Sequence, residues 1–311
     1  MKKHFITTIL LVSMLLTALV PTMAQESNSL KLYSSLPVTQ LDLMVSMFND
    51  KYPNIAVDVF SADSNDVFAR VQAEAGATGG LVLGGNLESF QTAQELFTEY
   101  TTANAKNFHD KYAVSTAFTP IQLHVSALVV NNDLAKKLGV KVTGWESLKD
   151  AKLSGKVAYM DPAKSSPVVE QTAFVNNFAR AIDVTNPSAP SFVLNAVTAG
   201  QYAVGIVNEE KAIERRMSGA NVDVVYASEG VAMGASYAGI LEGTQNEENA
   251  KLFLDFITGK EYQQAAADML HQRSVRRDVD FGLKGIASTK NLKALDVQSM
   301  AMLTSLQSAA R

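Results

Sequence analysis

Val82-Leu83-Gly84-Gly85-Asn86 is an apolar run, begun at Leu81, that ends in two glycines and an amide side chain. About 80 residues later a second piece reads Asp161-Pro162-Ala163-Lys164-Ser165-Ser166-Pro167. Each has the form of a buried strand closing on small polar residues at the start of a helix. Such a corner leaves unpaired backbone N–H groups and the positive end of a helix dipole above the strand end. One corner is common in any α/β protein, but two that face each other make a ligand cleft. The fold therefore turns on whether the rest of the chain brings them together.

Upstream of the first corner, strand and helix patterns alternate. Leu30 to Tyr33 reads as a strand, Ser34-Ser35-Leu36-Pro37 as a helix start, and Leu41, Met44, Val45 and Phe48 recur at helical spacing up to Tyr52-Pro53. Ile55 to Phe60 alternates like a strand, and Asp66 to Ala75 carries Val67, Phe68 and Val71 on one helical face. Leu81-Val82-Leu83 then fits a strand buried on both faces of a parallel sheet, which completes a right-handed βαβ series.

Downstream, Thr101 to Thr119 reads as loop with short helical turns, and Ile121 to Val130 as a long strand able to carry the chain from one lobe to another. Short helices follow at 134–138 and 145–149, strands at 156–160, 202–207 and 222–226, and helices at 167–181, 187–199 and from Asn208 to near Gly219. Ser236 to Leu241 has the form of a second long connection, and the chain from Glu247 onward reads as helical. Trp145 and Tyr202 are assigned to packing.

The first 24 residues stand apart. Lys2 and Lys3 precede an apolar run from Ile6 to Val20, and Thr22-Met23-Ala24 offers small residues for cleavage, the pattern of a secretory signal peptide. The apolar run is about 15 residues, short of the roughly 20 that span a bilayer. Without that leader 287 residues remain, with 25 Lys plus Arg against 31 Asp plus Glu. That is chain enough for two domains, mildly acidic and without a basic block, which argues against nucleic-acid binding. There is no cysteine, so disulfides, lipid-modified cysteine and thiolate chemistry are excluded, and a soluble periplasmic protein is expected.

The ordered motifs LKLYSSLP, FNDKYP, FARVQAEAGATGG, LGGNLES, ALVVNNDL, GWESLKD, GKVAYMDPAKSS, VYASEGVA, NEENAKLFLDFITGKEYQQ and RSVRRDV resemble those of extracellular solute-binding proteins of ATP-driven (ABC) importers. Within these the chain is similar to the cluster that carries ferric iron, phosphonates and phosphosugars. The resemblance covers the whole mature chain. It implies an α/β fold of type II, with two lobes of mixed, mostly parallel sheet joined by two crossing strands, and a small-molecule ligand closing the cleft. A monomer that docks on an inner-membrane permease is expected, with no enzymatic activity and no cofactor. The expected division is a signal peptide at 1–24, a discontinuous first lobe at 25–122 and 238–311, and a second lobe at 123–237.

Several residues are candidates for the ligand site. Ser34 and Ser35 stand where the first strand meets the first helix, and Ser64 with Asn65 opens the second helix in the same way; each could equally be a plain N-cap. Gly85 lets backbone approach a ligand closely and Asn86 can cap the following helix. Lys164, Ser165 and Ser166 precede Pro167 at a first helical position. Glu209 and Glu229 would suit sugar hydroxyls or an amine. Arg276, within RSVRRDV, is the first choice among Arg273, Arg276 and Arg277 for a phosphate. At Asn208-Glu209-Glu210 the ferric-iron proteins of the cluster carry a tyrosine pair, and the amino-terminal histidine of those proteins has no counterpart in Tyr33-Ser34-Ser35. The resemblance therefore points to a phosphorylated solute first and to ferric iron as the alternative. His109, His124 and His271 are scattered and read as surface or core rather than as ligands. A hydrolase is disfavoured by the lack of a G-x-S-x-G elbow or an H-E-x-x-H helix, and a structural antigen would have no use for facing helix starts.

Overall fold

A computed structural model describes residues 28–74, 79–112, 115–159, 190–280 and 282–295. The expected leader and the expected helix at 167–181 lie outside these residues. The first lobe begins with strand β1 (Ser29–Ser34), helix α1 (Val38–Lys51), β2 (Ala56–Ser61), α2 (Ser64–Glu74), β3 (Leu81–Leu83) and a short α3 (Leu87–Thr92). β1 pairs in parallel with both β2 and β3, as the alternation of strand and helix patterns requires. Leu41, Met44 and Phe48 form the buried stripe of α1, and Phe48 meets Phe253 edge-on with ring centroids 4.9 Å apart. Burying Met44 and Phe48 completely contributes about 1.5–3 kcal/mol each.

The centre of the molecule is β4 (Thr119–Asn131), buried along its whole length except at Ser126. Its first half runs antiparallel to β8 (Met233–Ile240), from Thr119 opposite Ala238 to Val125 opposite Met233. Pro120, which has no N–H to give, marks a shift in that register. From Ser126 onward β4 changes partners and pairs antiparallel with β6 (Val204–Asn208) and β7 (Val222–Val225). β5 (Val157–Tyr159) lies parallel to β6 at the far edge. The strand order is β2-β1-β3-β8-β4-β6-β5, with β7 also on β4. β4 and β8 are thus the two expected crossing strands, and β3 is parallel on one side but antiparallel to β8 on the other.

Around the second half of β4 stand α4 (Asn132–Leu138), α5 (Pro190–Thr198) and α6 (Glu209–Met217). Asn131 caps α4 by accepting from Leu134 N–H at 2.9 Å, and Gly139 closes it in the left-handed conformation. Trp145 is buried there and donates its indole N–H to the Gly230 carbonyl at 2.8 Å, a packing role as expected. Tyr202 is partly buried against the cluster of Val129, Val197 and Ile213.

After β8 the chain returns to the first lobe as α7 (Glu247–Thr258) and α8 (Lys260–Leu270). The expectation of helix from Glu247 onward fails beyond that point. His271 ends α8 in the left-handed conformation, and from there to Leu295 the described chain is extended or turned, with one 3-10 turn at Thr289–Asn291. This tail also departs from the expected first-lobe membership of 238–311. Leu283 and Ile286 pack with Ile213 and Val222, and Leu295 packs with Trp145 and Ala232. The Val231 N–H donates to Lys293 O at 2.8 Å and the Leu295 N–H to Val231 O at 2.9 Å. Apolar side chains at 283, 286 and 295 find their burial on the second lobe, so the chain crosses the hinge a third time. Among the described residues no helix is long and apolar enough to cross a membrane.

Candidate functional site

The three corners of the first lobe converge because β2, β1 and β3 are neighbours with parallel direction, so their carboxyl ends share one edge. Gly84 and Gly85 have φ of 92° and 80°, which β-carbon-bearing residues adopt only under strain. A β-carbon on Gly84 would stand 2.5 Å from Ser35 Oγ, and one on Gly85 would stand 3.3 Å from Ser64 Oγ. Ser35 and Ser64 therefore lie directly against the glycine turn. α1 starts at this edge after Pro37, with no side chain capping it, and Val38 and Thr39 are exposed. The first-turn N–H groups of a 14-residue helix and two hydroxyls thus share one corner with the glycines.

Other candidates at this edge have local duties. Ser34 is wholly buried, and its Oγ accepts from Leu36 N–H at 3.1 Å, so the hydroxyl shapes the turn beneath the corner instead of reaching outward. Asn86 accepts from Ser89 N–H at 2.8 Å and from Ser89 Oγ at 2.9 Å, the plain N-cap of α3. Lys164, Ser165 and Ser166 lie outside the described residues.

Three charged candidates are committed elsewhere. Glu209 is buried, with both carboxylate oxygens taken: Arg273 Nε donates to one, while Arg273 Nη2 and the Tyr226 hydroxyl donate to the other, each at 2.8 Å. Burial pushes the Glu209 carboxyl upward, and the Arg273 guanidinium opposes that shift. Tyr226 is pushed up as well, by burial first and then by the adjacent carboxylate. Glu229 accepts from Glu146 N–H at 2.7 Å and from Ser228 Oγ at 3.0 Å, which caps the 3-10 turn at Glu146–Lys149. Its carboxylate occupies the space a β-carbon on residue 144 would need, so glycine stands there. Arg276 is buried and bonds Asp278 through Nε and Nη2 at 2.9 and 3.1 Å, and Asn104 Oδ1 and Thr258 O through Nη1 at 2.9 and 3.1 Å. That guanidinium fastens the tail to the end of α7, so the Arg276 named as the first choice for a phosphate has its Nε, Nη1 and Nη2 engaged by protein groups here.

The crossing strands supply residues that composition and spacing did not single out. Ser126 is the one incompletely buried position in β4, at the point where partners change, and it stands opposite Asn208. Gly234 is the corresponding half-buried position in β8. Asn208 precedes α6 without capping it, and Glu210 is half-buried in its first turn. Burial, then the neighbouring Glu209, pushes the Glu210 carboxyl up to about 7, while its own backbone N–H and the Asn208 side chain act the other way. A lone serine in the apolar run His124 to Val130 was the available signal for this place. Beside it His124 is buried, bonded through Nε2 to Ser236 Oγ at 2.7 Å, and burial pushes it down to about 4.

A family model described as "Bacterial extracellular solute-binding protein" matches residues 37–269. The chain belongs to this family. Solute-binding proteins bind small ligands and deliver them to ABC permeases, and the family is periplasmic or extracellular. An uncharacterised protein of Haemophilus influenzae is 25% identical over 266 residues, which are 78% of this chain and 76% of that one. Among solved structures, the periplasmic binding protein AfuA from Actinobacillus pleuropneumoniae, with exogenous fructose-6-phosphate bound, is 22% identical with a TM-score of 0.68 over 91% of this chain and 95% of its own. The apo ferric ion-binding protein A of Pasteurella haemolytica is 13% identical with a TM-score of 0.72 over 90% and 95%. Both likenesses are of fold. They place this solute-binding protein among two-lobed, type II folds, which agrees with two sheets joined through β4 and β8.

Proposed function

We propose that this solute-binding protein captures a small phosphorylated solute, a sugar phosphate or a phosphonate, between its lobes and hands it to an ABC permease. The observation that carries the reading is the apposition of Ser35, just before the uncapped start of α1, with Gly84, and of Ser64, at the start of α2, with Gly85. Hydroxyls, approachable backbone and a helix dipole offer hydrogen bonds and positive potential to a phosphate without a fixed cation. Where β4 changes partners, Ser126, Asn208 and Glu210 suit hydroxyl groups of a sugar. The division between lobes falls in β4 between Val125 and Ser126, where the strand changes partners. We read residues 1–24 as a cleaved export signal and the mature protein as a non-enzymatic monomer.

Ferric iron is the alternative suggested by the ferric-binding folds. It would need hard anionic oxygens at 209 and 210. Both oxygens of Glu209 are already engaged by Arg273 and Tyr226, which favours the phosphorylated solute. A thermal-shift screen with fructose 6-phosphate, glucose 6-phosphate, a phosphonate, inorganic phosphate and ferric citrate tests the proposal, since a ligand that binds only the native state raises its stability. Stabilisation by a phosphorylated compound, lost in a Ser35→Ala/Ser64→Ala variant, is expected. A response to iron alone, with visible charge-transfer absorbance, would overturn it.

A further inference from the structure

Arg273 reaches across the hinge. Its carbonyl accepts from Leu123 N–H at 2.9 Å on the first-lobe half of β4, and Val275 two residues on is buried among first-lobe side chains. Its guanidinium lies in a socket built by the second lobe and the tail. There it meets Glu209 and Tyr226, donates to Ala287 O at 2.8 Å and to Thr289 Oγ1 at 3.0 Å, and is fully buried. Glu209 follows Asn208, which pairs with Ser126, three residues along β4 from Leu123. The ion pair therefore bridges the strand within about 10 Å of where it changes partners.

Desolvating two charges is costly, and an apolar pair of like volume stabilises a fold as well or better. What the pair provides that apolar residues do not is direction: a bidentate guanidinium fixes both distance and angle. We propose that Arg273, with Glu209, is a positioning residue for solute binding. It acts as a fulcrum that sets how the second lobe is oriented about the crossing strands, and so the width of the cleft, while touching no solute itself. The tail completes the device, because Ala287 and Thr289 close the socket while Leu283, Ile286 and Leu295 anchor it to the second lobe. Release of the guanidinium leaves two crossing strands as the hinge and lets the lobes sample wider angles.

The absence of native cysteine allows clean labelling. Spin labels on Gln91→Cys and Lys141→Cys, exposed positions of the first and second lobe, report the interlobe distance in solute-free protein by pulsed electron resonance. Because no solute is added, the outcome does not depend on the phosphate reading. The parent should show one distance population, and Glu209→Gln and the milder Thr289→Ala should each add a longer one. Phe253→Leu, a core change remote from the hinge, serves as the reference for destabilisation alone and should leave the distance unchanged. An unaltered distribution in Glu209→Gln and Thr289→Ala would overturn the proposal. If Glu209→Gln does not fold, Thr289→Ala decides alone in the same two directions.

Discussion

Acidification should weaken this protein through one buried side chain on its hinge. His124 is held neutral in the fold, pushed from 6.5 to about 4 by burial, and it bonds Ser236 Oγ across the two crossing strands. The unfolded chain binds a proton near 6.5 that the native state refuses until about 4, so the contribution is fully present above 6.5 and is lost as pH falls toward 4. At about 1.4 kcal/mol per pH unit, going from pH 7 to 4.5 removes about 2 kcal/mol. The readout is the urea unfolding free energy of the parent and of His124→Gln at each pH. Their difference cancels the titration of other groups, and its change with pH cancels the constant cost of the substitution. The parent's advantage should shrink by about 2 kcal/mol between pH 7 and 4.5. A difference that stays flat over that range would refute the assignment of His124 as a desolvated neutral histidine.

Glu210 should act with the opposite sign: its carboxyl is raised from 4.5 to about 7, so its contribution is present below 4.5 and is lost as pH rises through 7. Allowing for its half-exposure, Glu210→Gln should remove about 1–2 kcal/mol of that loss, read as a flatter stability profile between pH 4.5 and 7.5. Arg276→Ala should cost about 2–3 kcal/mol by stranding Asp278, Asn104 and the Thr258 carbonyl, with fructose 6-phosphate affinity by calorimetry unchanged at a temperature where the variant is folded. Gly85→Ala should cost about 1–2 kcal/mol, because φ is 80° there, and should also abolish phosphate-solute binding by moving Ser64.

Local patterns carried much of the fold. The apolar spacing of Leu41, Met44 and Phe48 and the unbroken run from Ile121 to Val130 each depend on which face of an element is buried, and burial leaves a period in the sequence. The glycine turn at 84 and 85 was legible for a related reason, since its backbone demand is met by residue type. The charged candidates were not legible in this way. Arg273, Arg276 and Arg277 sit in one short run, and nothing local distinguishes them. Their difference lies in Glu209, 64 residues away from Arg273, and in Asn104, 172 away from Arg276. Glu229 has the same history, because its role as a cap is written in Gly144 and Glu146. The tail is illegible for the same reason, because scattered apolar residues at 283, 286 and 295 have no period, and only the distant surface they meet decides where they are buried.

The position of β8 bears on how the molecule is made. It stands between β3 and β4, yet Ile240 pairs with Leu81, so the strand that joins the two is synthesised roughly 150 residues after the edge it must fill. At about 5–20 residues per second that edge waits roughly 8 to 30 seconds for its partner. Until then β3 presents unpaired backbone beside apolar surface, a template for another chain. A protein with this topology gains from staying unfolded until its full length is available, and its refolding, dominated by distant pairings, should be slow.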